Sequence, residues 1–155
     1  MTFVAGRRLT ASYLNNTFTA SSSDTQDTSG TTTSTTYTAT LTGGTACGCT
    51  FVAPLSGVVM VINSLGFVDN TTTPRSVCTI RIKTGGTIGS GTDFLAAVDA
   101  NAAAATNVDD KSQTRVKRVP GLTPGATYNV QQLFKVSSAS TATFASKHLA
   151  VVPVI

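Results

Sequence analysis

Tryptophan is absent from this sequence of 155 residues, aromatic residues make up only 6% of it and charged residues 12%. That charged share is about half that of an ordinary soluble domain. A nucleic-acid surface carries a dense basic stripe with aromatics for base stacking. Here 11 Lys and Arg stand against 7 acidic residues, a net charge of +4, and the cations are dispersed apart from one short cluster. Nucleic acid is therefore not an expected partner. Nor is a membrane, because no apolar run approaches the ~18–20 residues of a spanning helix. Arg7 and Arg8 have no apolar segment behind them, so no secretory signal is expected: the protein is made in the cytoplasm, or reaches the outside by another route such as cell lysis.

Residues that carry chemistry are equally scarce. His148 is the one histidine. Base-assisted nucleophilic catalysis gathers a nucleophile, a base and an orienting group. The acids Asp24, Asp27, Asp69, Asp93, Asp99, Asp109 and Asp110 all fall in or beside expected loops or linker, and nothing pairs them with His148. The expectation is a surface or interface histidine, no catalytic residue and no enzyme. Three cysteines, Cys47, Cys49 and Cys78, are an odd number and do not suggest a disulfide framework. Cys47 and Cys49 are not a C-x-x-C pair and have no second ligand pair, so buried free thiols are expected. Asp109-Asp110 with Asp99 lack the calcium-loop pattern. Gly85-Gly86, Gly89 and Gly91 lack the Lys-Ser/Thr of a phosphate loop and read as a hairpin loop. No metal or cofactor is expected.

What the sequence does have is Thr, Ser, Asn and Gly. Thr packs well on a pleated surface, and the others favour turns. The chain divides in two. Residues 1–36 read as an N-terminal anchor and arm. In the anchor, Thr10 or Ser12 is placed to cap a short helix with Leu14 and Phe18 on one face. That helix either packs on its own domain or docks on another protein, through Phe3, Val4, Leu9, Tyr13, Leu14 and Phe18. Residues 19–36, almost all Ser, Thr, Asp, Gln and Gly, have too little apolar surface to offset their ordering entropy. They read as a linker or as an arm laid along a partner.

Residues 37–155 carry about eight strand signals at short spacing, the pattern of an all-β sandwich, jelly-roll-like or immunoglobulin/fibronectin-like. The run from Val58 to Leu65 reads as a strand buried on both faces, by the rest of the sandwich and by a neighbouring subunit. Ile80 and Ile82 are expected inward, with Thr79, Arg81 and Lys83 outward. Phe94 to Val98 suggests a short strand, and residues 100–110 a loop or helical turn. Tyr128, Val130, Gln132, Phe134 and Val136 share one face. The last strand, from about Ala142 to Ile155, is expected to break near Lys147. Arg115, Lys117 and Arg118 with Lys111 form the basic cluster, read as a charged strand face or edge, or as a contact with an acidic neighbour.

Leu122-Thr123-Pro124-Gly125-Ala126-Thr127-Tyr128 is the best local motif. It fits a turn feeding a strand, with Leu122, Pro124, Gly125 and Tyr128 as its key positions and the tyrosine hydroxyl bonded back to turn backbone. The motif resembles the E–F corner of fibronectin type III domains. The segment Gly6-x-x-Leu9-Thr10-Ala11-x-x-Leu14-Asn15 resembles the N-terminal segment of many tailed-bacteriophage structural proteins, often fibres. Phe51 to Val61 (FVAPLSGVVMV), with Gly121 to Tyr128 and Pro153, resembles small phage and prophage β-sandwich proteins of actinobacterial hosts.

These resemblances imply a bacteriophage virion structural protein on the particle surface, a capsid decoration or short head-fibre protein attached by its arm. They imply a homotrimer and contact with the major capsid protein or another virion protein. Val59, Val61, Val152, Val154 and Ile155 are the expected subunit interface. The alternative is a minor tail or tail-fibre protein with a receptor-binding tip, for which a host surface glycan is a further partner.

Overall fold

The computed structural model describes residues 21–68, 75–106, 111–138 and 140–154. The anchor residues Phe3, Val4, Leu9, Tyr13, Leu14 and Phe18, and the interface residue Ile155, lie outside the described residues. Among the described residues ten strands form: β1 Ser22–Gln26, β2 Gly30–Thr32, β3 Gly48–Val52, β4 Val59–Val68, β5 Ser76–Thr84, β6 Asp93–Leu95, β7 Ala103–Ala105, β8 Lys111–Val119, β9 Thr127–Val136 and β10 Ala142–Pro153. A 3₁₀ turn, Asp99–Asn101, precedes β7. Among the described residues no helix is long and apolar enough to cross a membrane.

All strand pairs are antiparallel and fall into two sheets. The first runs β1-β10-β4-β8, with β2 also on β10; the second runs β3-β9-β5-β6, with β7 also on β5. The pairs β1/β2 and β6/β7 each fill one broken strand position, so ten segments occupy eight positions. In chain order the first position then pairs with the last, the second with the seventh, the third with the sixth and the fourth with the fifth. A chain paired in this nested way is one long antiparallel ribbon. It is folded across itself so that β10 meets β4 and β9 meets β5, which is the jelly roll. An immunoglobulin-type sandwich groups its strands differently, so the topology decides between the two expected sandwiches.

Side-chain alternation builds the interior. Along β4, Val59, Val61, Leu65 and Phe67 are buried, while Met60 and Ile62 are half-exposed. Along β10, Ala142 and Phe144 point inward, then the parity switches to Lys147, Leu149 and Val151. A bulge between Ala145 and His148 causes the switch, with Ser146 in the left-handed region at φ 44°. This is the break expected near Lys147. The interior gathers into two apolar clusters. One is built on Phe51, Val61, Ile80, Val130 and Leu149, the other on Leu65, Phe67, Phe134 and Phe144. Burying each such side chain contributes ~1.5–3 kcal/mol.

Two crossings between the sheets are tied together at one end. Residues 53–58 join β3 to β4, and residues 120–126 join β8 to β9. The Leu122 amide donates to the Gly57 carbonyl at 3.0 Å, and the Gly125 amide to the Ala53 carbonyl at 2.9 Å. Gly57 has φ 64°, and a Cβ there would sit 2.6 Å from the Leu122 carbonyl oxygen, so this approach requires glycine. Tyr128 stacks on Phe51 at 5.8 Å and meets the edge of Phe94 at 5.5 Å. The Thr123 amide donates to its hydroxyl at 3.1 Å, the bond expected of the turn motif.

Two expectations are corrected. The Ser/Thr stretch is not separate from the sandwich: residues 22–26 and 30–32 pair with β10 as its edge. Backbone ladder bonds need no apolar side chains, so composition hid these strands. Thr79 is fully buried, because the chain from β6 to β7 covers that face and Thr79 donates its hydroxyl to the Val98 carbonyl at 3.1 Å. Within the protomer β4 alternates: its inward side meets the second sheet, and its other side is the one expected to meet a neighbouring subunit.

Candidate interaction face

Among the described residues, the outward face of the first sheet carries the clearest unpartnered apolar surface. Register places Met60 between Val152 and Arg118, and Ile62 between Ala150 and Val116. Ser64 follows between His148 and Thr114, and accepts a bond from the Thr114 hydroxyl at 2.9 Å. Val116 is 52% exposed and Val152 39%. Ala150, Ile62 and Val116 thus form an aliphatic row across three strands and Val152 and Met60 a second across two, with Arg118 at one border and Ser64, His148 and Thr114 at another.

This face differs from the expected interface by one residue of parity. Val59 and Val61 are 1% and 0% exposed and belong to the protomer's own core. In a strand, the neighbours of inward residues face outward, so Met60 and Ile62 take that place. Val152 does face outward. Val154 is half-buried, held by its amide on the Val58 carbonyl at 3.0 Å and by the Ser56 hydroxyl on its own carbonyl.

Elsewhere, a polar seam lies between the two apolar clusters. Gln132 is fully buried on the inward face of β9, with Nε2 donating to Asn63 Oδ1 at 2.7 Å. Its Oε1 has no partner. Lys147 is also fully buried, and its ammonium donates to the Thr28 carbonyl. Burial lowers its pKa. The Cys47 thiol donates to the Lys147 carbonyl at 3.1 Å. All three cysteines are free and buried. Burial pushes the Cys47 and Cys78 thiols up to about 12, and that of Cys49 upward. Thiols held protonated in this way are poor nucleophiles.

On the second sheet, Asp99 gathers three partners. It accepts from the Tyr37 hydroxyl at 2.7 Å and pairs with Lys135 at 2.6 Å and Arg75 at 3.5 Å. Lys135 lies 4.5 Å over the Tyr37 ring. The Lys135 and Tyr37 bonds hold the Asp99 carboxyl below its ordinary range, while burial and then Asp99 raise the Tyr37 phenol. Asp99's oxygens are spent on the protein's own groups, so the cluster works as a clasp between residues 37, 75, 99 and 135. A shallow groove of about 370 Å³ is lined by hydroxyls, including Thr32, Ser34, Thr38 and Thr40. These are neutral hydrogen-bonding groups and offer no acid–base chemistry.

His148 sits on the outward face beside Ser64, away from Asp99. Among the described residues no three His, Cys, Asp or Glu side chains converge as a metal set. Leu122 and Tyr128 are brought together in one cluster, as their motif predicts. The clasp was not read from the sequence, since its members are up to 98 residues apart and carry no shared motif. Comparison of the chain with protein-family models and with curated proteins yields no match.

Proposed function

We propose that this chain is a structural subunit of a larger assembly. Our reading is a bacteriophage virion protein of the capsid-decoration or short head-fibre kind, whose N-terminal anchor, residues 1–18, attaches to the particle and whose sandwich forms a homotrimer. The observation that supports self-assembly is the pair of aliphatic rows on the outward face of β10, β4 and β8. A contiguous apolar patch rimmed by polar residues marks an interaction site, and burial at such a contact contributes ~25 cal/mol per Å². The phage setting rests on the sequence resemblances alone.

Light scattering of the full chain tests the assembly reading. A trimer is expected, and Ile62→Arg is expected to shift it to monomer with the fold retained by circular dichroism. A stable wild-type monomer at micromolar concentration would overturn it. Deleting residues 1–18 is expected to abolish particle attachment and leave the sandwich folded.

A further inference from the structure

We infer that the free edge of β8 is a docking site for an acidic, extended segment of another protein, added as a further strand to the first sheet. β8 ends the strand order β1-β10-β4-β8, and among the described residues no strand pairs with its far side. Over nine residues, alternate backbone N–H and C=O groups therefore point away from β4 without a ladder partner. Lys111, Arg115, Lys117 and Arg118 lie on this one strand with no acid among them. Among the described residues none of the four forms an ion pair, whereas Arg75, Lys83 and Lys135 each pair with an aspartate.

Register decides what such an edge accepts. Arg115 and Lys117 stand opposite Asn63 and Val61, on the inward-facing side of the strand, and the Arg115 guanidinium donates one bond to the Ala100 carbonyl at 3.0 Å, which leaves its charge without a counter-charge. A neutral strand laid beside them would desolvate two cations without a counter-charge, which is costly. Two β8 edges placed together would set cation against cation. A strand with carboxylates two residues apart matches the ~6.8 Å spacing of Arg115 and Lys117. Val116, half exposed between them on the other face, asks for an apolar residue opposite. The edge thus rejects most strands, including its own copy, and admits an acid–apolar–acid one. This edge borders the aliphatic rows proposed for the trimer and shares Val116 with them, whereas Arg115 and Lys117 belong to the edge alone.

The test uses the full chain and a labelled nine-residue peptide of alternating glutamate and valine, with a lysine–valine peptide and a single-stranded oligonucleotide as comparisons. Fluorescence anisotropy is expected to show saturable binding of the acidic peptide, weakened by salt, and none of the lysine peptide. Hydrogen exchange of the residue 111–119 amides is expected to slow on binding. The double variant Arg115→Glu, Lys117→Glu is expected to lose roughly tenfold or more for the acidic peptide and to gain binding of the lysine peptide. Should that variant fail to fold by circular dichroism, Arg115→Gln with Lys117→Gln reads the same loss. No binding, binding without protection of β8, or equal binding of the oligonucleotide would each overturn the proposal. Light scattering on the same samples reads the trimer separately, so failure of either idea is distinguishable.

Discussion

The Tyr128 hydroxyl accepts a hydrogen bond from the Thr123 amide at 3.1 Å, five residues back along the chain. It closes the turn that carries the chain from β8 to β9, and the ring beneath it packs on Phe51 and Phe94. Tyr128→Phe keeps the ring and removes only the acceptor, leaving the Thr123 amide short of a partner. The expected loss is about 1 kcal/mol, read as a lower urea midpoint with an unchanged slope. A loss much larger than this would mean that the ring packing had moved as well.

Asp99→Asn tests the clasp. The folded carboxyl titrates below its unfolded value, so its contribution is present above about pH 4 and is lost as pH falls through the lower folded pKa. The site is half exposed, so the effect is small. Melting temperatures of wild type and variant are expected to differ at pH 6 and to converge near pH 2. The variant is also expected to lower the pH at which Tyr37 ionises, followed by ultraviolet absorbance, because the carboxylate no longer opposes the phenolate.

How much of this was legible depended on whether a feature left a local trace. Pro124, Gly125 and Tyr128 sit within five residues, so the corner was readable down to its hydrogen bond. The break in β10 was readable because Ser146-Lys147 interrupts an apolar alternation. Strand parity in β4 was not: Val59, Met60, Val61 and Ile62 are all apolar and give no period, and the inward Asn63 points the wrong way. Its partner Gln132 lies 69 residues on, and only the fold brings the two amides to 2.7 Å. β1 and β2 were missed because their pairing with β10 is carried by backbone. The outward face was therefore placed on the right strand and the wrong side of it.

Cys78 gives the protein an alkaline limit. Its thiol is fully buried, with a folded pKa of about 12, against about 8.5 in the unfolded chain. A raised folded pKa means that the contribution is complete below the unfolded value and is lost as pH rises towards the folded one. Cys78→Val removes that titration at similar volume. The stability difference between wild type and variant is expected to be constant from pH 6 to 8. By pH 10 it should shift against the wild type by about 2 kcal/mol, at ~1.4 kcal/mol per pH unit. Urea titrations at the three pH values measure it, and a flat difference would show that the site admits solvent.

Ser146 is the hinge of the β10 parity switch, and its φ of 44° is a conformation that glycine adopts without strain. Its side chain is exposed and has no packing role. Ser146→Gly should relieve the left-handed backbone at some cost in unfolded-chain entropy, a net gain of up to about 1 kcal/mol. Deleting Ser146 tests the bulge itself. With the extra residue gone, Phe144, Lys147, Leu149 and Val151 fall at a regular two-residue step, so all stay inward and the pairing of Ala145 with Gly66 and of His148 with Ser64 loses its irregularity. The deletion is therefore expected to keep a cooperative unfolding transition by circular dichroism, and Ser146→Gly to melt higher than wild type. A deletion that loses cooperative unfolding would show that the bulge does more than carry one extra residue.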